Sequence, residues 1–322
     1  MGTFLATHKM DPALIAQIER SVGSRPRTAR VKPSAARLRA SLLRLTIAIA
    51  VTALATTAIL ARRRYHQEMT RARASLLGTV HAMGAALTPE ERKFMSRVEP
   101  WITGLAGVYE GEIVADELRL PYALDLVLAR PSVYVRGPVA AFGNANAIAD
   151  TASASTRDSL VLCLIDPPAS RAEKVVLSKV RAAYGGGVNV AQHVRRLHDA
   201  ESGLKQILMP WEERIRNAPE LRDLQHVKAE LAEVPVEAMK RALRAELLIA
   251  AMDEPDEAGP ADLDGERPHQ VRVALIDLPS GKIVLRTRKR VDPNWLAATT
   301  RSNFASAVDG CALALDIRSG IR

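Results

Sequence analysis

Few residues in this chain have the types and the spacing that chemistry needs. Asp166 and His198 are the pair from which a hydrolytic site would be built. Asp166 closes a continuous apolar run, Ser159 to Ile165, that reads as a strand buried on both faces. The end of such a strand is where α/β proteins place functional carboxylates, and His198 would supply the base. Pro167 and Pro168 follow Asp166, and a rigid turn accounts for it equally well. Cys163 and Cys311 are the only cysteines. Both sit among apolar residues away from clustered cations, which argues against an activated thiolate. They are either two buried thiols or a disulfide. Closing so long a loop would contribute roughly 3–5 kcal/mol and needs an oxidising compartment.

Metal and phosphate chemistry find less support. His193 and His198 are five residues apart, about 140° around a helix, a poor geometry for one ion. No HExxH or CxxC occurs. Asp262, Asp264 and Glu266 around Gly265 look like a fragment of a calcium loop, but a third oxygen before the glycine and a closing Glu are missing. Gly185-Gly186-Gly187 and Ser280-Gly281-Lys282 lack the glycine spacing of a phosphate loop, and a helix end and a hairpin turn explain them. No cofactor and no metal are expected, and the balance leans away from an enzyme.

The elements that must position these residues read as strands with helices between them. Tyr122 to Leu128 and Val133 to Val139 are β-rich around Arg130-Pro131-Ser132 and predict a hairpin. Residues 140–157 are small and polar and predict a loop. Ser170 with Glu173 three residues on predicts a capped helix to about Ala183. From Val190 to Arg244 apolar residues recur at helical spacing, divided by Pro210, Pro219 and Pro235. A strand from Leu247 to Met252, an acidic loop over 253–268 and a hairpin of Val271–Leu278 with Lys282–Val291 complete this stretch. A last helix runs from Asn294 to about Ile317, though Cys311, Leu313, Leu315 and Ile317 also alternate as a strand would. The fold class is α+β, or mixed α/β, over residues 110–322.

Upstream lies a different kind of segment. Leu45 to Ala61 is uncharged, and Leu42 and Leu43 extend it to transmembrane length if Arg44 snorkels to the headgroups. The chain carries +9 overall. Residues 1–44 hold nine Lys/Arg against two acids, and residues 62–82 hold five Arg against one Glu, so everything beyond residue 82 carries −2. The positive charge, including Arg37, Arg39, Arg44, Arg62, Arg63 and Arg64, therefore flanks the apolar stretch, as anionic lipid favours. Nucleic-acid binding would need that charge on the folded part.

The organisation expected is a basic tail over 1–41, a transmembrane helix over 42–61, a juxtamembrane helical segment over 62–109 and the domain. In the segment 62–109, helix continues from the anchor to about Ala86. Thr88, Pro89 and Glu91 then open a second helix that Pro100 should kink or end. Residues 25–44 carry seven Lys/Arg and residues 62–81 five, which favours a cytoplasmic N-terminus and an extracytoplasmic domain. Ala48, Thr52 and Thr56 form a line of small residues through which two copies could pair. The expected role is a membrane-anchored binding or scaffold module for a protein or another envelope component. The alternatives are an anchored hydrolase and a regulator facing the cytoplasm.

Overall fold

The computed structural model of the protein describes residues 13, 16, 17, 35–155, 159–184, 192–255 and 268–321. The chain forms two compact units, 1–67 and 68–322. Helix α1, Ala35–Ala85, contains the boundary. In the first unit the described part is mainly this helix up to Gln67, and its apolar stretch is exposed throughout.

The second unit begins at Glu68, so the segment between the apolar helix and residue 110 contributes to its core. Met69 and Leu76 of α1 are buried there. Thr88 then caps α2 (Pro89–Arg92) in a reciprocal box. Its hydroxyl accepts from the Glu91 amide, and the Glu91 carboxylate accepts from the Thr88 amide. Helix α3, Phe94–Ala106, buries Phe94, Val98 and Ile102. It continues through Pro100, and the break falls instead at Lys93. Val98 and Ile102 are fully buried on either side of the proline.

Next come the short edge strand β1 (Ile113–Val114), α4 (Ala123–Leu128), β2 (Ser132–Pro138), α5 (Ala145–Ala154), α6 (Ser159–Ile165), α7 (Glu173–Tyr184) and β3 (Val194–Arg196). Four helices come after β3: α8 (Leu197–Ile207), α9 (Trp211–Asn217), α10 (Leu221–Glu233) and α11 (Val236–Leu243). The chain closes with β4 (Leu247–Pro255), β5 (His269–Asp277), β6 (Lys282–Val291) and α12 (Ala298–Ile321). The sheet order is β1-β6-β5-β4-β2-β3, with β2 parallel to both β3 and β4 and the other pairs antiparallel.

Alternation along β4 divides the core in two. Leu248, Ala250 and Met252 face one core with α1, α3, α5 and α8–α11. Leu247, Ile249 and Ala251 face the other with α4, α6, α7 and α12. The domain is thus a mixed sheet covered by helices on both faces.

Several expectations are corrected. Residues 123–128 form a helix, with Leu124 and Leu128 buried four apart, so β2 has no hairpin partner and lies between β3 and β4. Residues 145–154 form a helix capped by Asn144, whose side chain accepts from the Ala147 amide at 3.0 Å. Ser159 to Ile165 is also helical. That helix is buried almost all round, and a short continuous apolar run carries no period to tell helix from strand. Ser170 does not cap α7, which starts at Glu173. Most of the acidic loop and the run Gly185–Gly187 lie outside the described residues.

Helices α6 and α12 cross at Gly310. A Cβ there would meet the Leu160 amide nitrogen at 2.4 Å and Ser159 Oγ at 2.6 Å. Because the nearest atom is backbone, Gly310→Ala should destabilise the domain by about 2–3 kcal/mol. The thermal midpoint, followed by circular dichroism, should fall by roughly 5–10 °C.

Candidate functional site

Among the described residues, a charge cluster gathers at two consecutive residues, Asp253 and Glu254, at the end of β4. Because strand side chains alternate, one goes to each face of the sheet. On the α6/α12 face, Arg136 of β2 donates from Nε and Nη2 to the Asp253 carboxylate, at 3.0 Å and 2.7 Å. His269 Nε2 of β5 lies 3.6 Å from Asp253 Oδ1. The Arg136 backbone amide donates to Ser155 Oγ at 2.9 Å. Burial works against the Asp253 charge, but the Arg136 charge and the His269 and Arg136 hydrogen bonds outweigh it and pull its pKa down to about 2. Asp253 is therefore a permanent anion locked to a neighbouring guanidinium, with no proton to donate at neutral pH.

On the opposite face, Glu254 accepts from Arg272 Nε at 2.8 Å and from Arg288 Nε at 2.7 Å. Arg272 also donates to the Leu105 and Gly107 carbonyls at the end of α3. Arg286 donates to the Gly111 carbonyl and to Glu110. The three guanidiniums lie 5.6–6.0 Å from the ring centre of Tyr109. Burial pushes the Tyr109 phenol up to about 12, and the Glu112 charge acts in the same direction. The cavity beside this cluster measures about 10 Å³, at or below the space of one water. The arrangement pins the 107–112 segment to the sheet.

The residues singled out from sequence are not brought together as a hydrolytic pair. Asp166 follows α6 and is ion-paired with Lys179 of α7, on the α12 side of the sheet. His198 sits in the first turn of α8, on the other side, with Nδ1 3.8 Å from Glu201. His193 lies in the turn before β3, its Nε2 2.6 Å from the Leu128 carbonyl, so the two histidines do not share a helix. Among the described residues, no group of three or more His, Cys, Asp or Glu is placed to hold a metal. Asp262, Asp264 and Glu266 lie outside them. Cys163 of α6 and Cys311 of α12 do meet, with Cα atoms 5.0 Å apart, inside the range of bridged pairs.

One surface feature had no signal in the apolar pattern. Tyr122 has φ 63°, the single positive φ outside glycine among the described residues. Its side chain is 79% exposed, beside exposed Leu120 and Leu126. A cleft of about 510 Å³ opens there, lined among others by Leu118, Tyr122, Asp125 and Arg318. A left-handed tyrosine costs on the order of 1–3 kcal/mol, and such strain gathers at functional surfaces. The Pro121 before it is the only local hint.

In the first unit, α1 is the one helix among the described residues long and apolar enough to cross a membrane. Its apolar stretch is not buried at all. Leu43, Ile49, Val51 and Leu54 are each more than half exposed. The hydroxyls of Thr46, Thr52, Thr56 and Thr57 donate to carbonyls one turn back, so the helix satisfies its own polar groups. Arg44 and Arg62-Arg63-Arg64 are exposed at the ends of the apolar stretch within it. No known protein family, curated protein or solved structure matches the chain.

Proposed function

We propose that this is a single-pass membrane protein with a cytoplasmic N-terminal tail and an extracytoplasmic domain that binds a protein or another envelope component. The observation that carries the anchor is the apolar face of α1, exposed all round between arginine clusters. A soluble unit would bury that surface or be driven to aggregate. The asymmetry of seven Lys/Arg before the span against five after it supports the direction. Binding is favoured over catalysis for two reasons. The buried carboxylates are committed to arginines, and Tyr122, strained and exposed beside Leu120 and Leu126, offers apolar surface to a partner.

Alkaline phosphatase fused after Arg322 should be active, and green fluorescent protein fused there should be dark. The protein should also stay in the membrane pellet through carbonate washing. A dark phosphatase with a bright fluorescent fusion overturns the orientation, and release by carbonate overturns the anchor.

A further inference from the structure

We propose that Cys163 and Cys311 are joined in a disulfide that fastens the C-terminal helix to the domain. The bond is permanent in the folded protein and does not act as a switch. The geometry meets the Cα requirement of a bridge. The two cysteines lie on α6 and α12 where Gly310 lets the helices touch, and their Cα atoms are 5.0 Å apart. They are 148 residues apart in the chain, so the fold alone brings them together.

Both cysteines are fully buried. Leu160, Leu164, Leu313 and Ala314 belong to the same core, and ion pairs close over the end of α12. Arg171 holds Asp316 through two hydrogen bonds, and Arg318 donates to the Leu164 carbonyl and to Asp125. A bond so enclosed has to form before α6 and α12 close. Once closed, thiols in solution have no path to either sulfur.

The chemistry is thiol–disulfide exchange with a disulfide-bearing oxidoreductase. The thiolate of one cysteine attacks the donor's disulfide, forming a mixed disulfide and releasing one donor thiolate. The thiolate of the second cysteine then displaces the donor's other sulfur. The pair loses two electrons and two protons, and the donor leaves as a dithiol. Such donors act in extracytoplasmic space, so the inference rests on the proposed orientation of the domain.

The test is acid quenching of intact cells, denaturation, and labelling of the full-length protein with a maleimide-polyethylene glycol. Without reductant the wild-type band should not shift, and with prior reduction in denaturant it should shift by two labels. Dithiothreitol applied to the folded protein, without denaturant, should leave the band unshifted, whereas labelling under those conditions would overturn the permanent clasp. Cys163→Ser and Cys311→Ser should each take one label without reductant, which pairs the two cysteines, and the non-reduced wild type should run as a monomer; a non-reduced dimer would overturn a bond within one chain.

The phosphatase fusion separates the two readings. Two free thiols with an active phosphatase overturn the disulfide and leave the orientation standing. An oxidised pair with an inactive phosphatase keeps the disulfide and overturns the orientation. Two free thiols with an inactive phosphatase overturn both.

Discussion

Replacing Val51 and Leu54 with arginine should move the protein out of the membrane fraction. Each arginine near the centre of a spanning helix costs about 2.5–3.5 kcal/mol of insertion. Two of them disfavour insertion by a factor on the order of 10⁴. Neither side chain is part of the domain, since Val51 is 59% and Leu54 70% exposed on a helix segment with no buried residue. The substitutions should therefore leave the thermal midpoint of the purified domain unchanged. Val51→Ala with Leu54→Ala keeps the stretch apolar and should stay in the carbonate-resistant pellet. If the arginine pair also sediments after carbonate, the helix is not what holds the protein on the membrane.

The second large effect is expected at Arg136. Arg136→Met leaves Asp253 as a buried anion with its main partner removed, which costs about 3–5 kcal/mol. For a domain of this size the thermal midpoint should drop by roughly 10 °C. Adding Asp253→Leu removes the stranded charge and should recover most of the loss, because contacting charges are strongly coupled. Equal midpoints for the single and double variants would refute the lock.

The same pair sets an acid limit. The Asp253 pKa is about 2 in the folded protein, below the roughly 3.9 of an unfolded aspartate. A carboxylate with a depressed folded pKa contributes its full stability above the unfolded value and loses it as pH falls toward the folded one. Denaturant titrations from pH 5 to pH 2 should show wild-type stability falling through that window. The fall should be shallower in Arg136→Met.

How far the chain could be read in advance depended on whether a signal was local. The capping box at Thr88 and Glu91 is complete within four residues, and the structure forms it as expected. The β5–β6 hairpin around Pro279-Ser280-Gly281 is likewise set by alternation and a short turn. Ser159 to Ile165 carries no such information. A short, nearly continuous apolar run fits the interior of a sheet or of a helical layer equally well, and the neighbours decide. Pro100 does not end its helix, which buries Val98 and Ile102 on either side of it.

The charge clusters show the same division. Arg136, Asp253 and His269 are scattered over three strands, and nothing near any of them in the chain announces the others. Asp166 and His198 looked promising because each satisfied a local expectation. The sheet between their helices separates them.

By itself the sequence determined the apolar segment, the arginines at its ends and the near-neutral charge balance of the residues beyond 82. These depend only on composition along the chain, which folding does not rearrange. Only the tertiary structure decided that Cys163 meets Cys311, that Asp253 and Glu254 are bracketed through opposite faces of one sheet, and that Tyr122 stands exposed in a left-handed turn. Each of these is a relation between residues far apart in the chain, or a strain imposed by packing. Local spacing carries no record of either.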